Sequence, residues 1–159
     1  MPLVLKNFDK QSVISISDVK HYVEQLPTKH IKSLTHIVYD PTRFFQRSYS
    51  NPSVVNQNVL GEYNQLPQNF VTIYKFNNRK EFLHLLYHEI GHHVFNKILS
   101  VHERREWVLC ARKSRHHVSE YAKTNTQEDF CESYAFFMHS KHILARDSYK
   151  INFMRQVFR

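Results

Sequence analysis

The stretch from Asn78 to Ser100, NRKEFLHLLYHEIGHHVFNKILS, constrains the fold more than any other part of the chain. Leu83, Tyr87, Ile90, Val94 and Ile98 fall on one face of a helix, and Leu85, His88, His92, Phe95 and Leu99 along another. A helix that is apolar along two faces is buried on two sides. This one nevertheless carries His88, Glu89, His92 and His93, together with Gly91, one of only two glycines in 159 residues. Glycine inside a helix costs about 1 kcal/mol relative to alanine, so Gly91 calls for close approach of a neighbouring element.

Around this helix the pattern predicts a mixed architecture. ISDVKHYVEQLP reads as a short amphipathic helix capped by Ser17 or Asp18, and LTHIVYDP as a strand halted at Asp40-Pro41. Residues 42–59 are polar, aromatic and irregular. LGEYNQ and NFVTIYKF then read as two strands separated by a turn at Pro67, with Gly61 supplying a bulge or an unusual dihedral. After the 78–100 helix, VHERREWVLCARKS, TQEDFCESYAFFMHS and SYKINFMRQVF read as three more. The expected class is α+β in one domain spanning 1–159, with a helix-and-sheet half (1–77) and a helical half (78–159).

Charge and cysteine content narrow the partners. The net charge is +8, with eight basic against five acidic residues in 1–75 and fourteen against nine in 76–159. The excess is spread out and favours acidic partners, while no recognisable nucleic-acid-binding module is present. No apolar run is long enough to span a bilayer and no standard secretory signal opens the chain. The expected location is therefore the cytoplasm, or a destination reached by a non-standard route. Cys110 and Cys131 read as buried free thiols, not as a disulfide framework.

His88 and His92 lie four residues apart, one turn apart on a single helix face. Two imidazoles so placed can donate to one cation at the ~2.0–2.1 Å that zinc prefers. Glu89, rotated around the axis, can reach a water on that cation without being a ligand. This is the HExxH arrangement of two metal ligands and a general base. His93 points away from this face and is assigned a structural role. A catalytic zinc takes three protein ligands, and TNTQEDFCES offers Glu128, Asp129 and Glu132. Thr126 with Asp129 forms a capping-box pattern that leaves Glu128 free, and Asn125 with Glu128 forms a variant. Spacing alone leaves Glu128 and Glu132 both open as the third ligand, the other serving to orient a histidine.

HEIGHHVF followed by VSEYAKTNTQEDFCESYAFFMHS resembles the catalytic domain of the anthrax toxin lethal factor family of metallopeptidases, which also includes secreted Pro-Pro endopeptidases. The resemblance is strongest over 83–99 and 116–142. It implies a zincin-like fold, one zinc ion per chain on His88, His92 and Glu128, Glu89 as base and Glu132 as an outer carboxylate. Tyr121 matches the family's active-site tyrosine, whose hydroxyl stabilises the oxyanion. The resemblance also implies an extended protein or peptide substrate paired along FVTIYKF as the edge strand, through Val71, Thr72, Ile73 and Tyr74. Cys131 reads as packing.

The expected function is that of a zinc-dependent endopeptidase, with an acidic segment as a plausible substrate. The rival expectations are a catalytically weak module of the same fold that docks an extended peptide, and a nucleic-acid-binding protein with a structural metal. The last would need a fourth ligand from His117 or His93.

Overall fold

The computed structural model describes residues 2–42 and 60–159, so most of the irregular segment expected over 42–59 lies outside the described residues. Four strands, β1 (Val4–Lys6), β2 (His36–Tyr39), β3 (Gly61–Asn64) and β4 (Phe70–Ile73), form one sheet in the order β1-β2-β4-β3. β1 and β4 flank β2 in parallel, whereas β3 returns antiparallel to β4 with Gly61 opposite Ile73 and Asn64 opposite Phe70. Six α-helices are described: α1 (Ile16–Glu24), α2 (Arg79–His93), α3 (Val101–Lys113), α4 (Thr126–His139), α5 (Lys141–Leu144) and α6 (Ser148–Val157). The chain is thus α+β with a small mixed sheet. No described helix is long and apolar enough to cross a membrane.

Three details depart from the sequence reading. β1 was not expected, because a three-residue strand is too short to display periodicity. α1 is capped by Ser15, not by Ser17 or Asp18. Ser15 Oγ accepts from the Asp18 amide at 3.0 Å and Asp18 Oδ2 accepts from the Ser15 amide at 3.2 Å. That reciprocal box satisfies two otherwise unpaired donors, and moving the cap inward would forfeit both. Finally, β4 is not an edge. It lies between β2 and β3, and Val71, Thr72, Ile73 and the following Tyr74 are all buried. Among the described residues the outer strand on that side is β3.

α2 packs against β3, β4 and, most extensively, α4. The two helices meet at Gly91, where a Cβ would lie 3.1 Å from Cys131 Cα and 3.4 Å from Tyr134 Cβ. The close approach expected of this glycine is therefore against α4. Beyond His93 the helix widens into a π-turn over Val94–Ile98, and the side chain of Asn96 donates to the His92 carbonyl at 2.8 Å. Widened turns of this kind are frequent at functional sites.

α4 is fastened from two sides. The buried Trp107 of α3 donates its indole N–H to the Thr126 carbonyl at 2.7 Å and meets Phe130 edge-on. Lys150 of α6, only 1% exposed, pairs with Asp129 at 2.9 Å and donates to the His116 carbonyl. The N-cap of α4 is Asn125, whose side chain accepts from the Glu128 amide at 2.8 Å. The Thr126–Asp129 box is not formed, because the Asp129 carboxylate is committed to Lys150. The Glu128 carboxylate is left free either way.

Candidate metal centre

α2 supplies His88, Glu89 and His92, and α4 supplies Glu128, Cys131 and Glu132. The Glu128 Oε2 atom lies 3.0 Å from His88 Nε2 and 3.3 Å from His92 Nε2. It is buried, yet no donor is aligned with it as a hydrogen bond. Three ligand atoms that crowd together without bonding to one another fit a common cation better than a network of their own. Burial raises the cost of the Glu128 charge, but the two imidazoles outweigh it and hold the carboxyl down to about 2. His88, His92, Glu128 and Cys131 form one group whose donor atoms all lie within 4.8 Å of one another and which could hold a metal ion.

The geometry separates the two glutamates that spacing left open. Glu128 faces the Nε2 atoms of both histidines, whereas Glu132 Oε2 lies 2.7 Å from Nδ1 of His88, on the far side of that ring. With Nδ1–H donating to Glu132, the His88 Nε2 lone pair is turned toward Glu128. Burial disfavours a charged His88, but the facing carboxylates of Glu128 and Glu132 prevail and push it up to about 10.

Several supporting residues were missed in the sequence. His84, one turn before His88, donates through Nε2 to Glu132 Oε2 at 2.7 Å, and its Nδ1 lies 2.9 Å from His139 Nε2. His139 in turn meets Ser140 Oγ at 2.9 Å. One set of tautomers satisfies this row, with each Nε2–H donating and each Nδ1 accepting. Ser119 Oγ donates to Glu132 Oε1 at 2.7 Å and accepts from the Ala122 amide at 3.2 Å. Gln127 places its amide 3.0 Å from His92 Nδ1. The amide nitrogen faces the ring, so Gln127 Nε2–H donates to Nδ1 and holds the ring in its orientation. The His84/His88/His92 spacing of four was a readable signal for the first of these. Ser119 and Gln127 gave none.

The remaining expected residues surround the same point. Glu89, 6% exposed, is raised by burial, against the lowering effect of His88 and His92. Tyr121 stands at the opening with its ring 5.5 Å from that of His88, and burial and the charges of Glu128, Glu89 and Glu132 keep its phenol protonated. Both line a cleft of about 440 Å³ together with His88, His92, Glu128 and residues 60–63 of the β3 segment. Gly61 is not at a positive φ, so its expected dihedral role fails. A Cβ there would instead meet Thr72 O at 3.2 Å and Glu89 Cγ at 3.3 Å.

Other expected residues stay away from the centre. His93 is fully buried between the Tyr63 hydroxyl at 3.1 Å and the Lys32 carbonyl at 2.9 Å, a structural role as expected. His117 is exposed. Val71, Thr72 and Ile73 belong to the interior strand, Tyr74 follows it, and all four line no part of the cleft. No protein-family model, curated protein or solved structure matches the chain.

Proposed function

We propose that the chain is a zinc-dependent endopeptidase of zincin-like fold. The observation that carries this reading is the convergence of His88 Nε2, His92 Nε2 and the undonated Glu128 Oε2 on one point, with Glu89 beside it and Tyr121 at the cleft mouth. Two imidazoles and one carboxylate are the donor set of catalytic zinc sites, which keep a further position for water or substrate.

The ion would be held by His88, His92 and Glu128, and when bound it polarises a carbonyl and acidifies water. Glu89 takes the proton from the attacking water and passes it to the leaving amine. Its burial strengthens the first step, since a desolvated carboxylate is a better proton acceptor than one in bulk water. The Tyr121 phenol donates to the oxygen on which negative charge develops. Glu132, fixed by His84 and Ser119, holds the His88 ring, and Ser119 links that carboxylate to the turn bearing Tyr121. The extended substrate pairs with β3, which borders the cleft, and the basic surface favours an acidic segment.

The test is cleavage of a proteome-derived peptide library by zinc-loaded wild type and by Glu89→Gln, each with its metal content measured. Cuts made by wild type and lost in a variant that still holds one zinc establish the activity and reveal the motif. Equal cutting by both proteins, or none by wild type holding one zinc, overturns the proposal in favour of a peptide-docking module.

A further inference from the structure

Cys131 entered the sequence reading as packing, and its surroundings are those of a ligand. It sits three residues after Glu128 on α4, one turn along the same face, with no exposed surface. Its Sγ lies within 4.8 Å of each donor atom of His88, His92 and Glu128. Its Cα packs closely on Gly91, where an added Cβ would lie 3.1 Å away, so the sulfur is held at the junction of α2 and α4. The other described cysteine, Cys110, is elsewhere on α3 and half-buried.

The position of the sulfur relative to the cleft matters equally. His88, His92, Glu128, Glu89 and Tyr121 all line the opening, whereas Cys131 does not. The thiol approaches from beneath, on the side away from solvent. A donor there occupies a position that neither water nor substrate can reach and leaves the cleft side open. Catalytic zinc can expand from four donors to five in the transition state, so a fourth protein donor from beneath still leaves one position on the cleft side. Bond lengths of about 2.0–2.1 Å to nitrogen and 2.3 Å to sulfur require the group to contract, a change within the reach of side-chain rotation because both helices carry their donors on facing turns.

We propose that Cys131 belongs to the donor set of this centre, as a sulfur ligand supplied from beneath, and that it makes the site selective for thiophilic divalent ions over magnesium, calcium and manganese. This rests on the metal reading above. Soft thiolate donors favour zinc, cobalt and cadmium, while hard oxygen-seeking ions gain little from sulfur. On coordination the S–H bond breaks, the electron pair goes to the ion and the proton is released to solvent. No oxidant or reductant is involved.

The decisive experiment is cobalt(II) titration of metal-free full-length protein, read by absorption. A thiolate on cobalt gives a near-ultraviolet charge-transfer band that nitrogen and oxygen donors do not. We expect the band in wild type and in Cys110→Ser, and its loss in Cys131→Ser with one cobalt still bound. Cys131→Ala is the second variant. Should neither Cys131 variant fold, the band in wild type and its persistence in Cys110→Ser identify the sulfur, since the chain has only two cysteines. Stoichiometric cobalt binding without the band overturns the sulfur ligand and leaves the three-donor centre standing. Failure to bind cobalt at all sinks the metal reading and this inference with it.

Discussion

Gly61 and Glu89 share one space. The backbone of the outer strand passes so close to the helix that a Cβ at 61 would stand 3.3 Å from Glu89 Cγ and 3.4 Å from Oε1. The Thr72 carbonyl, 3.2 Å away on the other side, is held in the β3–β4 ladder and cannot yield. Only the glutamate side chain can give way. On the proposed reading we therefore expect Gly61→Ala to leave the fold and metal content intact while lowering kcat about 10-fold, less than the ~100-fold of a 1 Å misplacement because Glu89 need give only a few tenths of an ångström. Kinetics alongside metal analysis check this. Unchanged kcat would show that Glu89 tolerates the shift.

Glu132 holds the His88 ring through Nδ1 and is itself held by His84, both behind the proposed metal position. Outer partners of this kind are worth about 10–100-fold in metal affinity. His84→Ala and Glu132→Gln should each weaken zinc binding by that factor, measured by competition with a chromophoric chelator. An affinity unchanged in both variants would mean that packing alone orients the ring.

The Lys150–Asp129 pair lies almost wholly out of solvent. Removing one member strands the other as a buried charge, so Lys150→Met should cost about 3–5 kcal/mol. Replacing both with apolar residues of similar volume should restore much of that loss. Urea midpoints of the single and double variants decide the matter. A double variant as unstable as the single would show that the hydrogen bond from Lys150 to the His116 carbonyl carries the effect.

His30 supplies a pH signature independent of the metal. It is fully buried between the Tyr134 hydroxyl and the Val157 carbonyl, each at 2.9 Å. Burial, against the raising effect of the Val157 carbonyl, lowers its pKa from 6.5 to about 4. The unfolded chain therefore takes up this proton first as pH falls. The contribution of neutral His30 is complete above about pH 6.5 and is lost as pH drops toward 4, amounting to about 3 kcal/mol. With metal removed by chelation, wild type should lose stability faster than His30→Gln over that window. Equal slopes would refute the assignment.

What was legible in the sequence follows from where periodicity and spacing carry information. The apolar stripes of α2 and α4 announced two long buried helices, and the four-residue interval of His88 and His92 placed both rings on one face. The choice between Glu128 and Glu132 needed the third dimension. They share a face of α4, and only the crossing of the helices shows one at the Nε2 atoms and the other behind His88. Strand order was hidden for a related reason. FVTIYKF and GEYN are each readable as strands, but nothing local says that β2 pairs on the far side of β4. Gln127 and Ser119 were passed over because their roles depend on partners from distant segments.

Lys150 also bears on the order in which the centre is put together. Asp129 lies next to Glu128, and the cation that settles Asp129 is made 21 residues later. While the ribosome is still extending the chain beyond α4, that carboxylate has no cation to pair with, and the helix is fastened only by Trp107 and by its packing at Gly91. One of the two fastenings of the helix that bears Glu128 and Glu132 is thus added late in synthesis, when α6 emerges and docks.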